Sequence, residues 1–204
     1  MGLALAALWA APALAAAEAP VHILALGDSL TAGYGLPSDQ AFPVKLQQAL
    51  KAKGIDAVVD NGGVSGDTTA GGLARLDWTL QGAKPGYAIV ELGANDGLRG
   101  LDPATTRANL DAILTKLQAA GVRVLLAGMY APPNLGRDYG HEFNAIYPEL
   151  AAKHKVALYP FFLDGVAANP ALNQPDGMHP SAAGVDIIVE RILPAVTKLI
   201  DHDG

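Results

Sequence analysis

Val21-His22-Ile23-Leu24-Ala25-Leu26-Gly27-Asp28-Ser29-Leu30 is a nearly unbroken apolar run that stops at a Gly-Asp pair. A run of this length with no wet and dry alternation fits a strand covered on both faces, which belongs inside a parallel sheet. The chain goes on to alternate such runs with longer amphipathic ones. Phe42 to Lys53 has helical spacing, with Val44, Leu46 and Leu50 in phase, and stops at Gly54. Ala57-Val58-Val59 predicts a second strand, and Thr68 to Gln81 a second helix with Leu73, Leu76 and Leu80 on one side. Tyr87 to Leu92 predicts the third strand. Pro103 to Ala120 predicts a helix with Pro in its first turn and Gly121 just past its end. Val122 to Ala127 predicts the fourth strand, Glu142 to Lys153 a helix and Val156 to Phe161 the fifth strand, and Ser181 is placed to cap a last helix reaching Ile200. Strand then helix, five times over, predicts an α/β fold with a parallel sheet between helices, because parallel neighbours need crossover connections. Ligands of such sheets sit at the carboxyl ends of the strands, where the strand order reverses. The loops that follow the strands are therefore the ones to inspect.

The 204 residues suit one domain with a proper core, and no repeat or linker interrupts residues 20 to 200. There is no cysteine, which excludes disulfide frameworks, thiolate metal sites and cysteine nucleophiles. A net charge of -6 leaves no basic stripe for a phosphate backbone, so nucleic acid is not an expected partner. Ten of the first twenty residues are Ala, and no charged side chain precedes Glu18. The stretch Leu3 to Ala17 is shorter than the ~20 residues a spanning helix needs, and it ends in small residues. Residues 1–17 accordingly read as a secretory signal peptide cut near Ala15 or Ala17, although Met1-Gly2 lacks the usual positive charge. A buried N-terminal helix is the alternative, disfavoured by Pro12 and by the missing polar face. On the first reading the working domain spans 18–204, is periplasmic or secreted, and has no stable membrane anchor.

Ser29 stands at the carboxyl end of the first strand, where a nucleophile would be presented with its backbone N–H free. The plainer reading is a helix-capping serine. Asn61-Gly62-Gly63-Val64-Ser65-Gly66-Asp67-Thr68 follows the second strand and Gly93-Ala94-Asn95-Asp96-Gly97 the third. Small residues there let backbone approach a ligand, and an Asn amide can donate to a developing oxyanion; each segment alone could be a mere turn. A serine hydrolase also needs a base, and there are five His. His22, His154 and His202 are more simply structural or solvated. The other two lie in Asp-x-x-His patterns, Asp138/His141 and Asp176/His179. Composition alone expects about 0.4 such pairs, so context must choose. Gly177-Met178-His179-Pro180-Ser181 makes a tight turn before the last helix and favours His179 as general base. Asp138/His141 lies in a Gly/Pro-rich stretch read as a mobile rim.

Gly27-Asp28-Ser29-Leu30, the Gly66 of Ser65-Gly66-Asp67-Thr68, Gly93-Ala94-Asn95-Asp96 and Asp176-Gly177-Met178-His179 stand in the order of the four sequence blocks of the GDSL/SGNH hydrolases. The chain resembles that family from about residue 21 to its end, with the similarity lying toward its bacterial thioesterase I, lysophospholipase L1 and arylesterase branch. The resemblance implies a three-layer, flavodoxin-like fold around a five-stranded parallel sheet. It implies Ser29 as nucleophile, His179 as base and Asp176 as the group that orients it. The oxyanion would be met by the Ser29 N–H, the Gly66 N–H and the Asn95 side chain. No cofactor or metal is implied, and the expected partner is a small acyl ester or thioester, including lysophospholipid, handled by a monomer. Leu30, Leu36, Leu98, Leu101 and Met178 are candidates for an acyl groove. The loop Tyr130 to His141, with Pro132-Pro133, departs from the family pattern, so acyl-chain preference is not implied. Two other readings stay open: a carbohydrate O-acetyl esterase of the same fold, and a non-catalytic flavin or nucleotide binder. The second lacks a G-x-G-x-x-G or G-x-x-x-x-G-K-[ST] string, and the G-x-S-x-G elbow of α/β-hydrolases is also absent.

Overall fold

The computed structural model describes residues 19–201; the expected signal peptide, residues 1–17, lies outside the described residues. The first apolar run forms strand β1, Val21–Gly27, and β2 is Ala57–Gly63, β3 Tyr87–Glu91, β4 Arg123–Ala127 and β5 Ala157–Tyr159. All pair in parallel in the order β2-β1-β3-β4-β5. That is the flavodoxin-like order, with its switch point between β1 and β3. The β1 side chains from Ile23 to Leu26 are all buried, which is why the run has no alternation.

The helices are α1 (Ser29–Ala32), α2 (Phe42–Ala52), α3 (Thr69–Ala83), α4 (Ala94–Leu98), α5 (Pro103–Ala119), α6 (Arg137–His154) and α7 (Ala182–Asp201). Helix α2 packs on α7 over one face of the sheet, and α3, α5 and α6 pack side by side over the other. The core runs through both interfaces, from Phe42, Leu46 and Ile192 to Leu76, Leu110 and Phe143. The Ser181 hydroxyl caps α7, accepting the Gly184 N–H at 3.3 Å.

Three departures from the sequence reading bear on the site. Strand β2 runs four residues past Val59, so Asp60 to Gly63 pair with β1. A glycine pair ordinarily signals a loop, but here it is what lets the strand pass: a Cβ on Gly63 would collide with the Ala32 N and approach the Asp28 carbonyl oxygen at 2.9 Å. The segments holding Ser29 and Asn95 are single helical turns, too short to show an apolar period. Helix α6 begins five residues before Glu142, at Arg137. Its apolar period starts only at Phe143, and its first turn is anchored instead by the Tyr139 hydroxyl donating to the Leu101 carbonyl oxygen at 2.7 Å.

Candidate active site

Gly27 ends β1 with no room for a side chain, since a Cβ there would overlap the Thr31 hydroxyl and the Glu91 carboxylate. The chain turns at Asp28, whose Oδ1 accepts the Leu30 N–H at 3.0 Å and so caps α1. Its Oδ2 accepts from Asn95 Nδ2 at 2.9 Å, which ties the start of α1 to α4. Ser29 is the first residue of α1, so its N–H has no partner inside the helix. The capping reading of this serine is set aside: Asp28, not Ser29, is the cap.

The ground beneath Ser29 is polar and buried. Glu91, at the end of β3, is fully buried, and its Oε2 accepts the Thr31 hydroxyl at 2.7 Å and the Asp28 N–H at 3.4 Å. Among the described residues its other oxygen, Oε1, has no hydrogen-bond partner. Burial first, and then the neighbouring Asp28 charge, pushes the Glu91 carboxyl well above its usual value. Burial also lifts Asp28 to about 6, against the pull of the Leu30 N–H and the Asn95 amide. Arg75 of α3 completes this floor: its Nη2 donates to the Gly27 carbonyl oxygen at 3.0 Å, and its Nε to Asp67 at 2.7 Å.

His179 comes from the other side, on the loop before α7. Its Nε2 lies 3.0 Å from Ser29 Oγ, and its Nδ1 lies 2.7 Å from Asp176 Oδ2. The second Asp176 oxygen accepts the backbone N–H of Met178 at 2.9 Å and of His179 at 3.0 Å. Those two amides, helped by the His179 ring, hold the Asp176 carboxyl down at about 2. With that carboxylate on Nδ1, the proton of a neutral His179 sits on Nδ1 and leaves Nε2 to accept from Ser29.

Gly66 follows β2 on the same edge, with φ near +84°, a conformation glycine adopts without strain. Arg99, at the end of α4, donates to the Gly66 carbonyl oxygen at 2.8 Å. Among the described residues the Gly66 N–H has no partner. Helix α4 thus touches both neighbours, Asp28 through Asn95 and Gly66 through Arg99. Gly66 does not itself line the cavity beside Ser29.

That cavity, about 370 Å³, is bordered by Ser29, Asn95 and His179 and walled by Leu30, Leu98, Met129, Tyr130, Phe161, Leu163 and Met178. Of the expected groove residues, Leu36 and Leu101 stand outside it. The loop that departed from the family pattern supplies Tyr130, Ala131, Pro132 and Pro133 to the wall, and Tyr130 stacks on Phe161 with ring centroids 4.5 Å apart. Asp138 and His141 lie on the exposed first turns of α6 and make no hydrogen bond to each other or to Ser29. His154 is taken up by Asp111 and Gln118. Among the described residues no cluster of His, Asp and Glu could hold a metal ion.

Sequence reasoning gave no role to Glu91, Tyr34 or Gln174. Glu91 had a signal, a lone carboxylate inside an apolar strand; Tyr34 and Gln174 had none, because their contacts are with segments far along the chain.

The family model of the GDSL-like lipase/acylhydrolase family matches residues 25–187. The esterase TesA of Pseudomonas aeruginosa is 43% identical over 178 residues, which are 87% of this chain and 89% of that one. The thioesterase 1/protease 1/lysophospholipase L1 of Escherichia coli is 40% identical over 188 residues, 92% of this chain and 89% of that one. Among solved structures, AlinE4, an esterase of the SGNH-hydrolase family, superposes with a TM-score of 0.77 at 51% identity, covering 90% of this chain and 98% of that one. A match that takes in the sheet, every loop at its carboxyl edge and nearly the full length of its relatives leaves one conclusion: the chain belongs to the GDSL-like lipase/acylhydrolase family and is an ester hydrolase.

Proposed function

We propose that the chain is a serine esterase that cleaves acyl esters and thioesters, lysophospholipids and aryl esters among them, with Ser29, His179 and Asp176 as its triad. The observation that carries this reading is the unbroken relay from Asp176 Oδ2 through His179 to Ser29 Oγ, at 2.7 and 3.0 Å. His179 Nε2 takes the Ser29 proton as Oγ attacks the acyl carbon, and Asp176 steadies the imidazolium that results. The carbonyl oxygen gathers negative charge and is met by the Ser29 N–H, the Gly66 N–H and Asn95. Asn95 has two N–H groups on Nδ2. One goes to Asp28, which fixes the plane of the amide, and the other is left for the oxyanion. Collapse expels the alcohol or thiol with the proton from His179. Water then attacks the acyl-serine by the same route in reverse.

The cavity walls favour a fatty acyl chain over acetate, since apart from Asp28, Ser29, Asn95, Asn173 and His179 they are mostly aliphatic and aromatic carbon. Residues 1–17 act as an export signal and the mature enzyme works as a monomer outside the cytoplasm; no helix of the described residues is long and apolar enough to cross a membrane.

A series of p-nitrophenyl esters from acetate to decanoate, run beside acyl-CoA and lysophosphatidylcholine, tests the reading. Turnover should be highest on medium or longer chains, with a burst of p-nitrophenol from the acyl-enzyme, and vanish in Ser29→Ala. Sharp preference for acetate would move the assignment to carbohydrate O-acetyl esters, and undiminished turnover in Ser29→Ala would overturn the serine mechanism.

A further inference from the structure

His179 and Asp176 sit on the same loop, three residues apart, so their hydrogen bond orients the imidazole within the loop but cannot hold the loop against Ser29. The loop from Leu163 to Ser181 has little regular structure of its own, apart from a bridge between Asn173 and Pro180. Asp176, Gly177 and Met178 are exposed. Something else must set the 3.0 Å approach of Nε2 to Oγ.

The turn after the nucleophile supplies it. The backbone N–H groups of Gly33 and Tyr34 both donate to the carbonyl oxygen of Ser29, at 3.2 and 3.1 Å, so Tyr34 is fixed to the nucleophile residue itself. The Tyr34 ring lies against the His179 ring, centroids 4.6 Å apart and planes tilted by 38°. Gln174 bridges the two segments: its Nε2 donates to the Tyr34 carbonyl oxygen at 2.7 Å and to the Pro180 carbonyl oxygen at 3.0 Å. Its backbone N–H donates to the His179 carbonyl oxygen at 2.7 Å. Gly35 leaves the space for this bridge, since a Cβ there would overlap Gln174 Oε1. The contacts close a ring, from the Ser29 backbone to Tyr34, to His179, and back to Ser29 Oγ.

We propose that Tyr34 is a positioning residue for the general base, its ring backing the His179 imidazole at hydrogen-bond distance from Ser29 while Gln174 locks the two loops together. The inference rests on the triad reading above. When His179 takes up the proton, the π face of Tyr34 also offers the imidazolium a favourable contact. The tyrosine hydroxyl plays no part in this, and its ring is half exposed, so it contributes little to the core.

The test measures kcat and KM separately on p-nitrophenyl butyrate for Tyr34→Ala, Tyr34→Phe and Gln174→Ala, with melting curves for each and Ser29→Ala as control. Misplacement of a catalytic group by about 1 Å can cost about 100-fold in rate, so Tyr34→Ala should lower kcat by about 10- to 100-fold with KM within about twofold. Tyr34→Phe should restore kcat to within about twofold of wild type, and Gln174→Ala should lower kcat alone by a smaller factor of about 3 to 10. A Tyr34→Ala effect confined to KM, or equal losses in the Ala and Phe variants, would overturn the proposal by making Tyr34 a substrate contact or its hydroxyl the active group. If Tyr34→Ala fails to fold, unchanged kcat in Gln174→Ala together with loss in Tyr34→Phe overturns it in the same way. Activity surviving in Ser29→Ala would instead remove the triad reading on which the proposal stands.

Discussion

The two halves of the site are built in opposite ways. Ser29 stands on a floor of buried polar groups, with Asp28, Thr31 and Glu91 all fully buried and the Asp28 N–H and the Thr31 hydroxyl both donating to Glu91 at the end of β3. His179 and Asp176 stand on an outer loop, their side chains 17% and 34% exposed. The Ser29 half, the proposed nucleophile's, takes its geometry from the sheet, and the His179 half, the proposed base's, from local bonds and one tether. An enzyme gains from this division. Donors that must meet a developing charge work best when they cannot move, whereas a base needs only to reach the hydroxyl and can border the route by which substrate enters.

The contrast can be broken most severely on the base side. His179→Ala should lower kcat by about 10⁴- to 10⁶-fold while stability stays within about 0.5 kcal/mol of wild type, measured by ester turnover and urea unfolding. His141→Ala, the rival base, should leave turnover unchanged. On the nucleophile side the two properties should fall together. Asn95→Ala removes the proposed oxyanion donor and also strips Asp28 of a partner, so kcat should drop by about 10²- to 10³-fold with a loss of about 1–3 kcal/mol in stability. Equal stability losses from His179→Ala and Asn95→Ala would erase the distinction.

A finer test lies in pH, because the carboxyls of the two halves are linked to folding with opposite sign. Glu91 and Asp28 are raised in the folded protein, so between their unfolded values near 4 and their folded ones the unfolded chain holds fewer protons. Stability from this half is therefore present at low pH and declines as pH climbs through about 4 and past 6. Asp176 is lowered to about 2, so its contribution is present above about 4 and is lost as pH falls toward 2. Melting temperatures from pH 3 to 8 should show Glu91→Gln gaining on wild type as pH rises. Asp176→Asn should lose most ground near neutrality and draw level in acid. A Glu91→Gln advantage that grew on acidification would reverse the sign assigned to this pair.

What the sequence made legible follows the same line. The succession of strands and helices and the layering could be read because a buried parallel strand is an apolar run and its helices have an apolar period, whereas the strand order was implied only by the family resemblance. Ser29, Asn95, Asp176 and His179 could be singled out as candidates because each sits in a short string with its own turn chemistry and those strings match the blocks of the family the chain resembles. The tail of β2 could not, because Gly62-Gly63 looks like a loop until Ala32 and Asp28 are seen pressed against it. Nor could the first turn of α6, where Gly136 and Gly140 mask a helix whose anchor is Leu101. The supports of the site were hidden by distance along the chain: Glu91 meets Thr31 across 60 residues, and Gln174 meets Tyr34 across 140.

The central claim is that Ser29, activated by His179, is the nucleophile. Treating the protein with a fluorophosphonate and mapping the adduct by peptide mass spectrometry tests it directly. The account expects one adduct, on Ser29, formed far more slowly in His179→Ala and absent in Ser29→Ala. An adduct on any other residue, or undiminished labelling of Ser29 in His179→Ala, would contradict it.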